Sequence, residues 1–377
     1  MPETARQEPD VTHQPTVSVV MATYNRGPLL VRLLKQIAAQ DFPMSEIEVV
    51  VVDDGSKEPV APLLEPYKAG LPYPLRVIAQ KNGGAARARQ NAASHARGEL
   101  LLIVDDDMQI PRHFIAEHVR LHREGSGRTC VMGRYASDPD VHAMPLFERY
   151  YANMWDKLTV NVREGRLAVT GTILSTGNAS MRREDFFAVG GFDLSLERAE
   201  DTELGLKLEQ SGVEMVFSET AHTLHGSDHT DLAKWLGRNY RYGVHDLRIA
   251  RKHTWAAHAD PWRYFFSLPK LGLPFISASV VSPAASKRIS AAVMKTAMAV
   301  DRLGLETLAL RGAGVVFGME YFRGVREENG SIAATLSSLV DFLTKADQAP
   351  QPLPGIPRLL LQAARRLRGP KSTARTR

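Results

Sequence analysis

Four short apolar runs without polar alternation limit what this chain can fold into. One of them, Leu100–Val104, is five apolar residues in a row, preceded by Gly98 and followed at once by Asp105, Asp106 and Asp107. An alternating strand faces water on one side, whereas a continuous apolar run is buried on both, as in parallel sheets covered by helices. Residues 17–22 and 47–52 read the same way, and 75–79 is a shorter member of the set. Between them, Leu29, Leu30, Leu33, Leu34 and Ile37 recur at helical spacing behind Gly27-Pro28, and an Ala- and Arg-rich helix over 85–97 follows Lys81-Asn-Gly-Gly84. Strands alternating with helices predict parallel pairing with right-handed crossovers, an α/β, Rossmann-like layered domain from 16 to about 125. Pro59, Pro62, Pro66, Pro72 and Pro74 make the stretch between the second and third strands a poor helix and a surface excursion.

Ligands of an open α/β sheet bind at the carboxyl ends of its strands. Two acidic clusters fall there: Asp53-Asp54, followed by Gly55-Ser56, and the run 105–107. Three adjacent carboxylates repel one another unless a cation or hydrogen bonds compensate, so a divalent metal carrying a phosphate-bearing substrate is the economical reading. An acidic turn capping the helix that begins near Pro111 is the plainer alternative. A GxGxxG or Walker signature is missing from the first turn, which argues against a dehydrogenase and an NTPase. The single cysteine, Cys130, excludes an intrachain disulfide and a Cys-based zinc cluster, fits a reducing compartment, and reads as a small core residue.

Beyond 125 the pattern changes. Residues 145–158 form an amphipathic helix rich in aromatics, 171–178 look like a strand returning to the sheet, and 200–211 and 231–253 are helices. From 261 onward short apolar helices are interleaved with Pro and Gly. Residues 1–15 are expected to be a flexible arm and 346–377 a basic tail without fixed structure. The domain division expected is 16–230, with a nucleotide half over 16–125 and an acceptor half over 126–230, then a helical region over 231–345.

Seven stretches occur in an order that resembles the family 2 glycosyltransferases of the GT-A fold: Val17-Ser-Val-Val-Met-Ala-Thr-Tyr-Asn-Arg26, Val50-Val-Val-Asp-Asp-Gly-Ser56, Asn82-Gly-Gly-Ala-Ala-Arg87 on to Asn91, Gly98-Glu through Asp107, Gly177-Asn-Ala-Ser-Met-Arg-Arg183, Gly190-Gly-Phe-Asp193, and Glu200-Asp201. The resemblance covers 16 to about 230 and implies a mixed, mostly parallel sheet flanked by helices, with a mainly helical C-terminal extension. It implies inverting transfer of a sugar from a nucleotide diphosphate donor, UDP-linked sugars favoured, with Mn2+ or Mg2+. Position by position, Asp54 with Asp53 contacts the base, Thr23 and Tyr24 line that pocket, and Arg87 or Arg89 reaches the phosphates. Asp105 and Asp107 fill the ligand positions of the family's DxD, with Asp106 between them, and Asn178 belongs to the donor side. Asp201, paired with Glu200, is the catalytic base, and His225, with His222 second, completes the metal shell. The family's usual Arg-Asn pair is here Arg89-Gln90-Asn91, and the QxxRW motif of processive synthases is absent, which favours single transfers.

The rivals are a nucleotidyltransferase on a similar layered fold, and an inactive carbohydrate-binding or scaffold protein that keeps it. The acceptor expected is a glycan, a glycolipid or a polyprenyl-linked sugar, as in cell-envelope polysaccharide synthesis, and no nucleic acid. No secretory signal is read, and 271–281, broken by Pro274, falls short of the ~20 residues of a spanning helix. The chain is therefore expected to be cytoplasmic, with basic and apolar C-terminal segments suited to peripheral contact with an anionic membrane.

Overall fold

The computed structural model describes residues 14–125, 127–225, 231–348 and 355–368. The expected arm, most of it, and part of the expected tail lie outside these. The chain divides into two compact units, residues 1–143 with 151–228, and residues 144–150 with 229–377.

In the first unit the elements run β1 (Val17–Thr23), α1 (Gly27–Ala38), β2 (Ile47–Asp53), α2 (Val60–Lys68), β3 (Leu75–Ala79), α3 (Ala85–His95), β4 (Leu100–Val104), β5 (Met108–Gln109), α4 (Phe114–Glu124), β6 (Thr129–Ser137), α5 (Leu146–Arg163), β7 (Asn178–Arg182), α6 (Arg183–Ala188), α7 (Glu200–Gln210) and β8 (Glu214–His225). The first turn of α5 groups with the second unit. The sheet has the order β3-β2-β1-β4-β7-β6-β8-β5. Strands β3, β2, β1 and β4 are parallel, and β7 runs antiparallel to both β4 and β6. The sheet is thus mixed, as expected.

Its parallel half shows why the apolar runs do not alternate. Val19, Val49 and Leu102 face α1 and α4 with Leu30, Leu33 and Phe114, while Val20, Val50 and Leu101 face α3 and α7 with Ala88, Ala92 and Leu204. Both faces are covered, so both sets of side chains leave water. Cys130 is buried in the second of these layers, and burial pushes its thiol up to about 12, leaving it inert.

Two readings of the sequence are corrected. The proline-rich stretch does form a helix, α2: Pro62 sits in its first turn, where the missing N–H has no acceptor to lose, and buried Val60 and Leu64 hold it to the core. The segment leading to β7 is a 3₁₀ turn over Gly171–Ile173, and the strand starts only at Asn178.

The second unit contains α8 (Leu232–Lys252), α9 (Pro261–Ser267), α10 (Leu273–Val281), α11 (Pro283–Arg302), α12 (Glu306–Glu328), α13 (Ile332–Gln348) and α14 (Arg358–Arg368). Its core gathers Trp235, Trp262, Ile276, Val316, Phe322 and Phe342. Helices α11 and α12, of 20 and 23 residues, are longer than the Pro and Gly pattern suggested. The tail expected without structure carries the end of α13 and all of α14 within its described part. Among the described residues no single helix is long and apolar enough to cross a membrane.

Candidate active site

The site is built at the carboxyl ends of β1, β2 and β4. Register pairs Thr23 with Asp53, so the loops after β1 and β2 leave the sheet side by side. Asn25, in the left-handed region at φ 56°, accepts from the Lys57 amide (2.8 Å), and its own amide donates to Ser56 Oγ (2.8 Å). Both carboxylates of the first acidic pair are taken up by the backbone. Asp53 accepts from the amides of Ser56 and Val60, and Asp54 from Gly83 and Gly84 (2.8 Å each) and from Gln80 Nε2 (2.7 Å). They fix the loops that follow β2 and β3. Thr23 is buried, and Tyr24 stands exposed beside it.

The carboxylates of the second cluster are divided between Arg26 and Arg89. Arg26 donates to Asp107 Oδ2 (2.6 Å) and Asp106 Oδ1 (3.2 Å), and Arg32 donates to the Asp107 carbonyl (2.8 Å). Asp105 turns the other way, to Arg89 Nη2, whose Nη1 donates to Glu200 Oε1 (3.0 Å). One buried guanidinium therefore joins the end of β4 to the start of α7. Although burial opposes its charge, Asp105 and Glu200 hold the Arg89 proton above its ordinary range. Burial pushes Asp106 up to about 6, against a hydrogen bond from Thr23 and the charge of Arg26, with Asp107 and Asp105 adding to it.

A cation fits this chemistry. The acids outnumber the arginines touching them, and the buried Asp106 carboxyl has the Arg26 guanidinium and the Thr23 hydroxyl beside it. Among the described residues, no group of three or more His, Cys, Asp and Glu side chains is placed to hold a metal by itself. Such an ion would share its shell with substrate phosphates, as magnesium habitually does. His225 ends β8 opposite Met108, next to the acidic run in the fold, but its side chain lies outside what the structure describes. His222 is partly buried on the same strand, with Nδ1 3.2 Å from the Thr220 carbonyl.

Glu200 and Asp201 open α7 behind Ala199, which sits at φ 60°, a conformation that L-residues other than Asn and Asp seldom adopt. Burial, then the neighbouring Glu200, raises the Asp201 carboxyl well above the carboxylate range, with Arg89 opposing. The helix is anchored by close backbone approach: a Cβ on Gly205 would lie 2.1 Å from the Gly171 carbonyl oxygen. Gln90 Oε1 accepts from the Phe192 amide (2.9 Å), tying α3 to the loop ahead of α7. Gly177 leaves room for the Asp105 carboxylate and the Tyr135 hydroxyl, each of which a Cβ there would meet at 2.6 Å.

Arg26, Arg32, Gln90, Tyr135 and Ala199 were not assigned roles from the sequence. A signal existed for Arg26, which closes the first family stretch. The two candidate arginines of α3 part ways, Arg87 exposed and Arg89 buried. Asn178 stands opposite Val104 at the end of β4, but its side chain has other partners. It is fully buried, its Nδ2 donates to the Ala221 carbonyl (2.9 Å), and its Oδ1 faces His118 Nε2 (3.1 Å). His118 and His122 each place a ring nitrogen 2.8 Å from Ser180 Oγ, so β7 is locked to α4.

A family model described as Glycosyl transferase family 2 matches residues 18–189. The poly(ribitol-phosphate) β-N-acetylglucosaminyltransferase TarS of Staphylococcus aureus is 37% identical over 108 residues, 27% of this chain and 19% of its own. The validoxylamine A glucosyltransferase of Streptomyces hygroscopicus subsp. jinggangensis is 28% identical over 233 residues, 55% of this chain and 54% of its own. The chain thus spans about a fifth of the first and about half of the second. Among solved structures, the mannosyltransferase PcManGT of Pyrobaculum calidifontis, in complex with GDP-Man and Mn2+, superposes with a TM-score of 0.50 at 19% identity, over 82% of this chain and 88% of that one. Residues 18–189, a little under half of the chain, match the model of glycosyltransferase family 2 with the motifs in the family's order, and the fold is GT-A.

Proposed function

We propose that this protein is an inverting glycosyltransferase that moves a sugar from a nucleoside diphosphate donor, UDP-linked, to an acceptor hydroxyl, with Asp201 as the base. The observation that carries the reading is the Arg89 bridge between Asp105 and Glu200, which ties the diphosphate end of the rim to the helix bearing Asp201. An inverting displacement needs a carboxylate within reach of the attacking oxygen, opposite the leaving diphosphate. The raised proton affinity of Asp201 suits it to receive that proton, and Glu200, held by Arg89, positions it. The donor base is assigned to the pocket of Thr23, Tyr24, Asp53 and Asp54. Exposed Arg87 is better placed for the phosphates than Arg89, which two acids hold.

Mn2+ or Mg2+ is assigned to Asp105 and Asp107, with His225 as a further ligand and Asp106 beside them. When bound, it would neutralise charge developing on the leaving diphosphate. The acceptor class proposed is a glycan or lipid-linked glycan of the cell envelope, reached from the cytoplasm. The name of TarS specifies a polyol-phosphate acceptor, so such polymers belong in the first panel.

The test is Asp201→Asn against a panel of nucleotide sugars and acceptors. UDP affinity in the presence of Mn2+, measured by calorimetry, should be retained while transfer falls by roughly 10²–10⁴-fold, the usual contribution of a general base. Unaltered turnover would remove Asp201 from its assigned role.

A further inference from the structure

Helix α10 carries no charge, with Ser277 and Ser279 its two polar side chains, yet only one face of it is covered. No charged residue occurs over 271–281. Inward, Ile276, Ser279 and Val280 are buried, with Ile276 against Gly318 of α12. Outward, Pro274 is exposed, Phe275 is 45% and Val281 62% exposed, and Leu271, in the 3₁₀ turn Lys270–Gly272 that leads into the helix, is 89% exposed. Leu271 and Phe275 are four residues apart, so they share one stripe. A helix at a water interface keeps its outer face polar, and one that is apolar all round lies in a core or in lipid.

The charges that flank this stripe in the sequence have one sign. Residues 261–300 contain Arg263, Lys270, Lys287, Arg288 and Lys295 and no Asp or Glu. Lys270 precedes the stripe directly, and Lys287 and Arg288 are exposed in the first half of α11. Leu303 and Leu305 in the turn between α11 and α12, and Leu308 at the start of α12, are exposed too, but Asp301 and Glu306 offset Arg149 and Arg302 there, which leaves no net positive charge to draw an anionic surface. A second apolar and basic element begins beside α9, where Gly355 abuts the Phe266 carbonyl and leads into α14, with Leu359, Leu360, Arg358 and Arg366 exposed. The segments Pro261–Ser267 and Lys270–Val281 meet at 112°, a bend that suits lying in one leaflet.

We propose that the outer face of the α9–α10 turn is a membrane-docking wedge: Leu271, Phe275 and Val281 enter the interface of an anionic bilayer while Lys270, Lys287 and Arg288 meet lipid phosphates. The wedge lies on the second unit and does not depend on the donor chemistry, so vesicle binding and sugar transfer fail separately.

The experiment is co-sedimentation of the full chain with vesicles of phosphatidylcholine, alone or mixed with phosphatidylglycerol. The protein should bind the mixed vesicles at least about tenfold more tightly than the neutral ones, and lose that preference at high salt. Leu271→Asp with Phe275→Asp should weaken binding at least about tenfold without lowering the melting temperature, since both side chains face out. Lys270→Glu with Lys287→Glu and Arg288→Glu should abolish the preference for anionic lipid. Absence of binding by the wild-type chain, or binding untouched by the Asp pair, overturns the proposal. So does a homodimer, seen by light scattering, that the Asp pair dissolves, because the stripe would then be a contact between copies.

Discussion

Arg89 sets the charge balance of the rim, because its buried guanidinium touches acids from two separate parts of the chain. Removing it would leave Asp105 and Glu200 facing each other with their partner gone. Arg89→Met should therefore cost about 3 kcal/mol in urea unfolding, the lower end of what breaking a buried pair costs. Arg89→Lys keeps the charge but loses the planar fork that reaches both acids, and about half that cost is expected. Equal losses in the two variants would show that reaching both carboxylates contributes nothing. The sequence already placed these acids at strand ends, where side chains from distant positions must converge. It did not reveal their partners: Asp54 turns to the Gly83 and Gly84 amides, and Asn178 to the interior, through loop geometry that no motif encodes. The choice between Arg87 and Arg89 was partly legible, since Ala88, Ala92 and Ala93 mark the buried face of α3 and Arg89 falls within that stripe.

Among the elements, β1, β2 and β4 were readable because burial on both faces leaves no polar position. Helix α2 was not, because tertiary contacts of Val60 and Leu64 outweigh a local preference against helix in a stretch with two prolines. The start of β7 was misplaced for a related reason, since the apolar residues after Gly171 serve a turn pressed against α7 and not a strand. That contact sets where Glu200 and Asp201 stand. Gly205→Ala would drive a methyl into the Gly171 carbonyl, a backbone atom that cannot swing aside. A destabilisation of about 1–3 kcal/mol is expected from overpacking, with turnover falling more than donor affinity as α7 shifts. Chemical unfolding together with separate kcat and KM values checks this. A variant with wild-type stability and kcat would show that the crossing is looser than its geometry.

For the whole molecule, pH acts through buried groups that pull in opposite directions. Burial lowers His118 to about 3 and His122 to about 4, so the folded chain declines protons that unfolded histidines accept below about 6.5. Their contribution is full above that pH and is lost as pH falls toward 4. Asp246 and Asp260 behave in the opposite sense. Burial raises each to about 6, against about 3.9 for an unfolded Asp, so their contribution is full below about 3.9 and is lost as pH rises through 6. Asp246 isolates the second effect, because its Oδ2 accepts from the Tyr321 hydroxyl (2.6 Å), a bond that an amide oxygen also accepts. At pH 8 the wild-type chain keeps an ionised carboxylate away from water and Asp246→Asn does not. The variant should therefore be the more stable there, by on the order of 2–3 kcal/mol for a shift of this size. By pH 5 the folded carboxyl is mostly protonated but the unfolded one is not, so about half of the advantage should have gone, and the rest should go as pH falls below about 4. Melting curves of both proteins across this range decide the matter: a gap that stays constant with pH would mean that the Asp246 proton is not what the folded state is holding.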